Sequence, residues 1–275
     1  MRIDSHQHFW NYNPAEYGWI DESMSTIRRD FLPEHLQSEL AEAQVDGVIS
    51  VQARQDVTET GWLLDLAARN SFIQGVVGWV DLMSPEVYTQ LERCAAHPKL
   101  KGVRHVIQGE PDDNFVLRKD FNRGIAELKP LALAYDLLIF ERHLPQAIQF
   151  VDAHPGQVFV LDHIAKPRIR ENAFEPWNKN IRELARRQNV YCKLSGMVTE
   201  ADPAHWTEPQ LRPYFETVLE AFTPRRLMFG SDWPVCLLAC QYARWRATVA
   251  GWVSRLSTDE QERIFGGTAS EAYRL

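Results

Sequence analysis

Short apolar, β-branched runs alternate with longer stretches of helical period along the whole chain. The runs Ile3–His8, Gly47–Gln52, Gly75–Val80, Gly102–Val106, Leu137–Glu141, Val158–His163, Val190–Ser195 and Leu227–Ser231 predict eight strands. Between them, Pro33–Leu40, Thr58–Asn70, Pro85–His97, Lys119–Ala134, Leu144–His154, Trp177–Gln188, Glu208–Phe222 and Gln241–Leu256 carry helical spacing. Pro33 suits a first helical turn, and Thr58–Asn70 places Trp62, Leu63, Leu66 and Ala67 on one face.

Near-continuous apolar strands joined by helix-sized crossovers predict parallel pairing, with each strand covered on both faces and the crossovers winding one way. Eight such units in 275 residues fit an α/β chain folded as one (β/α)8 TIM barrel, a single domain over residues 1–275. A doubly wound sheet is the alternative. The segment after the first strand holds no G-x-G-x-x-G, which disfavours dinucleotide binding by that route.

Composition narrows the function without naming it. The chain is 45% hydrophobic and 24% charged, an ordinary globular balance, and its net charge of −7 with no long basic run argues against nucleic acid or an anionic membrane surface. No apolar run is long enough to span a bilayer, so a cytoplasmic location is the default expectation. Cys94, Cys192, Cys236 and Cys240 are scattered, and one close pair without a second pair of ligands is weak evidence for zinc. Small-molecule chemistry is the better expectation.

In a barrel of this type the site is built where the strands end. The first strand closes on Ile3-Asp4-Ser5-His6-Gln7-His8, placing two of the chain's nine histidines two residues apart. On a strand they project to one face roughly 7 Å apart along the chain, close enough to share an ion or a substrate. A structural pair at that spacing is the competing reading. The last strand runs into Phe229-Gly230-Ser231-Asp232-Trp233-Pro234, where an aspartate costly to bury alone asks for a metal, a histidine or a water, or else is a turn residue. Leu161-Asp162-His163-Ile164-Ala165-Lys166-Pro167 ends the sixth strand in the same manner. Ser195 and Ser231 lie outside any G-x-S-x-G elbow, so a covalent serine mechanism is unsupported.

These three motifs, D-S-H-Q-H-F-W, L-D-H-I-A-K-P and M-F-G-S-D-W-P, in that order and spanning Asp4 to Pro234, resemble the amidohydrolase-related sugar-acid lactonases. That family includes L-fuconolactonase and L-rhamnono-lactonase, with 2-pyrone-4,6-dicarboxylate lactonase more distant. The resemblance implies a (β/α)8 barrel and hydrolysis of a small aldonolactone such as L-fuconolactone. It assigns His6, His8, His163 and Asp232 to the site, with His6, His8 and Asp232 as possible ligands of one divalent metal, Zn or Mn. The wider superfamily places another histidine at the end of strand five. Here that region reads Leu138-Ile139-Phe140-Glu141-Arg142-His143, so Glu141 stands near the expected ligand and a metal-independent site is the alternative.

Lactone opening needs a base for water, donors for the developing oxyanion and an acid for the leaving hydroxyl. Asp232 is the expected base, and His6, His8 and His163 the expected polarising groups. Arg104, Gln52, Glu141 and Trp233 are the expected substrate-binding residues. Two other functions remain open: a metal-dependent decarboxylase or hydrolase of another small carboxylated substrate, and a non-catalytic sugar-acid binder.

Overall fold

A computed structural model describes residues 1–275. Eight parallel strands follow in chain order: β1 (Ile3–Gln7), β2 (Gly47–Val51), β3 (Ile73–Gly78), β4 (Leu100–Val106), β5 (Ala134–Leu138), β6 (Phe159–Leu161), β7 (Val190–Leu194) and β8 (Leu227–Phe229). The last strand returns to the first through Ser5 Oγ, which donates to the Phe229 carbonyl at 2.6 Å, and through the backbone N–H groups of Asp232 and His8. These donate to the carbonyls of His6 and Trp233 at 2.8 and 2.7 Å. Gly230 permits that approach, because a Cβ there would sit 2.9 Å from the His6 Cβ. The (β/α)8 barrel expected from the alternation is the fold observed.

The crossovers are α1 (Pro33–Ala43), α2 (Val57–Arg69), α3 (Val87–Ala95), α4 (Lys119–Ala126), α5 (Leu144–Ala153), α6 (Trp177–Leu184), a short α7 (Met197–Glu200) and α8 (Glu208–Arg226). They bury their apolar faces on the outside of the sheet, as α2 does with Leu63, Leu64 and Ala67. After β8 come α9 (Tyr242–Val253), α10 (Thr258–Glu262) and α11 (Thr268–Tyr273). No helix is long and apolar enough to cross a membrane.

Inside the barrel, Ile3, Ile49, Val51, Val77, Ala134, Val160 and Met228 form an apolar plug against Ala269, Ala272 and Tyr273 of α11. Towards the strand C-termini the interior turns polar, with Asp136, Lys193, Asp162, Arg104 and Gln52 all buried. A charged layer therefore underlies the rim, walled off from water by the plug below.

The fifth strand departs from expectation. It spans Ala134–Leu138, not Leu137–Glu141, and α4 stops at Ala126, well short of Ala134. Lys129-Pro130 breaks the helical run, Ala132 takes a left-handed conformation with φ 58°, and the chain is free to enter the sheet three residues earlier. Glu141 consequently lies in a short turn, Glu141–His143, beyond the strand. The strand then carries Asp136 into the barrel interior, a residue the periodicity had placed in neither the strand nor the site.

Candidate active site

Three strand ends converge at the C-terminal mouth. In β1 the pairing register shifts between Asp4 and Gln7, and this irregularity turns the side chains from Asp4, which faces α9, to His6, which faces the barrel axis. His6 and His8 bring their Nε2 atoms within 3.1 Å of each other. Asp232, just past β8, sets its Oδ1 3.4 Å from His8 Nε2, 3.7 Å from His6 Nε2 and 4.0 Å from His163 Nε2. All four side chains are buried.

Each group is locked from behind. His8 Nδ1 lies 2.8 Å from the Val51 carbonyl, an acceptor only, so Nδ1 carries a hydrogen and, in the neutral ring, Nε2 faces the mouth as a lone pair. His163 Nδ1 meets Ser195 Oγ at 2.9 Å. Residues His163, Ile164, Ala165 and Lys166 all adopt left-handed backbone, with φ between 46° and 63°, and Trp177 Nε1 pins this turn by donating to the Ile164 carbonyl at 2.8 Å. Four consecutive non-glycine residues in that region cost about 1–2 kcal/mol each, strain of the sort that surrounding structure must impose at a working site. Gly196, with φ +67°, clears room for the ring: a Cβ there would stand 2.7 Å from His163 Nδ1.

Asp232 also has positive φ, 59°, and is held through its neighbours. Asp4 Oδ1 accepts the N–H groups of both Ser231, at 2.8 Å, and His6, at 3.1 Å, while Tyr242 Oη donates to Asp4 Oδ2 at 3.1 Å. One buried carboxylate thus ties the first strand to the loop that presents Asp232.

The electrostatics favour neutral His6 and His163 beside an anion. Burial pushes the His163 pKa down to about 4, against the pull of Asp232 and Asp162, and burial likewise holds His6 well below the usual imidazole range against the pull of Asp162. Burial alone would raise Asp232, but His163, His8 and His6 around it outweigh that and keep its pKa below the usual carboxylate value. At neutral pH the site is a carboxylate faced by imidazoles, with Oδ1 buried and lacking any hydrogen-bond partner. An orphaned anionic oxygen of this kind asks for a cation or for a proton on water.

The donor set fits a divalent cation. Ligands around one ion with bonds of about 2.0–2.2 Å stand roughly 3.4 Å apart, and His6 Nε2, His8 Nε2 and Asp232 Oδ1 are 3.1, 3.4 and 3.7 Å from one another. Two imidazoles and a carboxylate suit Zn or Mn. Glu141 does not join them. Its Oε1 receives Arg168 Nε at 3.1 Å, because the strand that was expected to deliver it ends three residues earlier.

Beneath the mouth lies the charged layer. Lys193 pairs with Asp136 and with Asp162 Oδ1, the latter at 2.9 Å, and its Nζ is 3.1 Å from His6 Nδ1. Arg104 donates from Nη1 to Asp162 Oδ2 at 2.9 Å and from Nη2 to the carbonyl and side-chain oxygens of Gln52. Tyr273 Oη sits 2.8 Å from both oxygens of Asp136.

Of the eight residues singled out from sequence, the fold brings His6, His8, His163 and Asp232 together, with Arg104 and Gln52 directly below. Trp233 is 2% exposed and packs its indole on Phe9 and Phe31, while Glu141 stands at the rim beside Arg168. Sequence reading passed over Asp4 as a positioning group, Asp136 and Tyr273 altogether, and Glu200, which lies 3.7 Å from Lys166 at the mouth. The available signal for Asp136 was a lone charge inside the apolar stretch Leu133–Phe140.

A parallel barrel whose first strand ends in two histidines facing an aspartate after the last strand defines the class, and the chain belongs to the amidohydrolase family, matching it over residues 3–275. It is 42% identical to an L-fucono-1,5-lactonase of Burkholderia multivorans, covering 100% of this chain and 96% of that protein, and 38% identical to an L-fucono-1,5-lactonase of Burkholderia ambifaria over the same shares. It also superposes, with a TM-score of 0.96 and 44% identity, on the crystal structure of an amidohydrolase from Burkholderia multivorans with bound Zn, covering 100% of this chain and 99% of that one.

Proposed function

We propose that the protein hydrolyses a sugar-acid lactone, L-fucono-1,5-lactone or a closely related aldonolactone, to the open acid. The observation that carries this reading is the Asp232 carboxylate, ionised and buried, with an unpartnered Oδ1 facing three imidazoles. The 42% identity to L-fucono-1,5-lactonase across the whole chain supports the substrate class.

In this mechanism Asp232 takes a proton from water as the oxygen attacks the ring carbonyl, then returns it to the ring oxygen as the C–O bond breaks. His6, His8 and His163 surround the place where the carbonyl oxygen gains charge; N–H donors on His6 and His163 stabilise it, while His8, whose own N–H is held by the Val51 carbonyl, receives the His6 hydrogen's contact from behind. Lactone opening forms a carboxylate and a hydroxyl with no change of oxidation state, so base and donors suffice. His6, His8 and Asp232 would hold a divalent cation, which when bound supplies Lewis-acid polarisation of the carbonyl. Gln52 and Arg104 set the floor of the pocket, and Glu141 and Trp233 complete its proposed substrate-binding set.

The experiment is a panel of 1,4- and 1,5-aldonolactones assayed by proton release with a pH indicator. Rapid turnover of L-fucono-1,5-lactone or a near stereoisomer is the expected result. Binding without turnover across the panel would favour a sugar-acid binder, and carbon dioxide release from aromatic carboxylates would favour a decarboxylase.

A further inference from the structure

Lys193 is a buried side chain that the proposed reaction does not use, and it touches His6, whose tautomer follows from its neighbours. The hydrogens can be counted. His8 Nδ1 donates to the Val51 carbonyl, which leaves His8 Nε2 an acceptor. The 3.1 Å contact between His6 Nε2 and His8 Nε2 then needs a hydrogen on His6 Nε2. A neutral His6 protonated there has a lone pair on Nδ1. Lys193, which has three hydrogens and no acceptor, reaches three acceptors: Asp136 Oδ2, Asp162 Oδ1 at 2.9 Å and His6 Nδ1 at 3.1 Å.

Two contacts pull the other way. Asp162 Oδ1 lies 3.2 Å from His6 Nδ1 and could accept from it, and Arg104 Nη1 lies 3.5 Å from His6 Nε2. Both are longer than the contacts they oppose. Asp162 is already served by Lys193 and Arg104 at 2.9 Å, so it does not depend on His6 for a donor.

We propose that Lys193 is a positioning residue that holds the His6 proton on Nε2, making His6 a hydrogen-bond donor into the site and weakening the site for divalent cations. A metal-bound histidine normally gives its other N–H to a carboxylate or carbonyl. For His6 Nε2 to ligate an ion, its hydrogen must move to Nδ1 and be donated to Asp162, and Lys193 must surrender its bond to that nitrogen. No hydrogen is gained or lost in the exchange. Lys193 thereby favours use of the donor set as an oxyanion pocket over its use as a cation cage.

This inference rests on the reading of His6 as a site residue, but its first test needs no lactone. In metal-free, ¹⁵N-histidine-labelled protein, two-bond N–H correlation spectra assigned through His6→Gln should show His6 protonated on Nε2 and His8 on Nδ1. A His6 protonated on Nδ1 in the resting protein overturns the proposal, whatever the protein hydrolyses. The second test is Zn²⁺ affinity by competition with a chromophoric chelator. Lys193→Met should tighten Zn²⁺ binding on the order of 10- to 100-fold, the range seen when partners behind a metal ligand are changed, and should move the His6 hydrogen to Nδ1. Lys193→Met with Asp136→Asn removes the stranded carboxylate if the single variant does not fold, since Tyr273 still donates to the amide oxygen. Unchanged Zn²⁺ affinity in the folded variant also overturns the proposal. Failure of lactone turnover alongside the expected tautomer would count against the lactonase reading alone.

Discussion

Asp4 Oδ1 accepts the backbone N–H of Ser231 at 2.8 Å, and through this bond the first strand of the barrel sets the position of the residue before Asp232. Asp4 is fully buried and also receives the Tyr242 hydroxyl, so its removal strands donors with no access to water. Asp4→Ala is expected to cost about 1–3 kcal/mol for each backbone donor left unpaired. Asp4→Asn keeps an acceptor for both N–H groups and should recover most of the stability. Urea unfolding of the two variants checks this, and kcat should fall with Ala and recover with Asn; equal behaviour of Ala and Asn would sink the positioning role.

Asp232→Asn removes the proposed base while keeping its shape. A fall in kcat of roughly 10²- to 10⁴-fold on the best lactone is expected, with KM changed little. Steady-state rates alongside a thermal melt separate loss of chemistry from loss of fold, and an unchanged kcat would remove Asp232 from the mechanism.

Gly196→Ala tests the cradle behind His163. The new methyl would meet the imidazole at 2.7–2.9 Å on a backbone of φ +67°. The backbone alone should cost about 1–2 kcal/mol, and the displaced ring should lower kcat as well. Crystallography of the variant should show His163 moved away from Ser195. A ring still 2.9 Å from that hydroxyl, with full activity, would contradict the expectation.

Glu59, 1% exposed, accepts the N–H groups of Ala53 and Arg54 after β2 and the hydroxyl of Tyr17 from the long β1–α1 connection. Burial lifts its pKa from the usual 4.5 to about 7, against the pull of those two N–H groups and of Arg54. The folded state therefore binds the proton more tightly than the unfolded chain. Its stabilising contribution is complete below about pH 4.5 and is lost as pH rises through about 7, a swing of about 3 kcal/mol at one pKa unit per 1.36 kcal/mol. Glu59→Gln abolishes that swing, so the stability of wild type relative to the variant should decline between pH 4.5 and 7 in parallel denaturation series. A constant difference across the window would show that Glu59 titrates normally.

The alternation of runs sufficed for eight parallel strands and for the barrel because each strand is buried on both faces and reads as apolar without interruption. The convergence of His6, His8, His163 and Asp232 at the barrel mouth was legible for a related reason. Polar groups at the ends of such strands stand out against the apolar run that precedes them. Strand five was misplaced because Leu131–Phe140 is apolar over a longer stretch than one strand needs, and only the turn at Pro130 and Ala132 decides where pairing begins. Asp136, a charge within that stretch, was hidden by the same ambiguity.

Residue order by itself determined the parallel barrel, its family and the histidines and aspartate at its mouth, since local period and strand-end chemistry are properties of neighbours in the chain. Only the tertiary structure decided what those residues face. His6 Nδ1 lies between Asp162, 156 positions away, and Lys193, 187 positions away. Which of them shares its hydrogen sets whether the imidazole is a donor or a ligand. That choice depends on distances of about 3 Å across a closed barrel, where a hydrogen bond is strong or absent within a few tenths of an ångström, and no pattern along the chain encodes it.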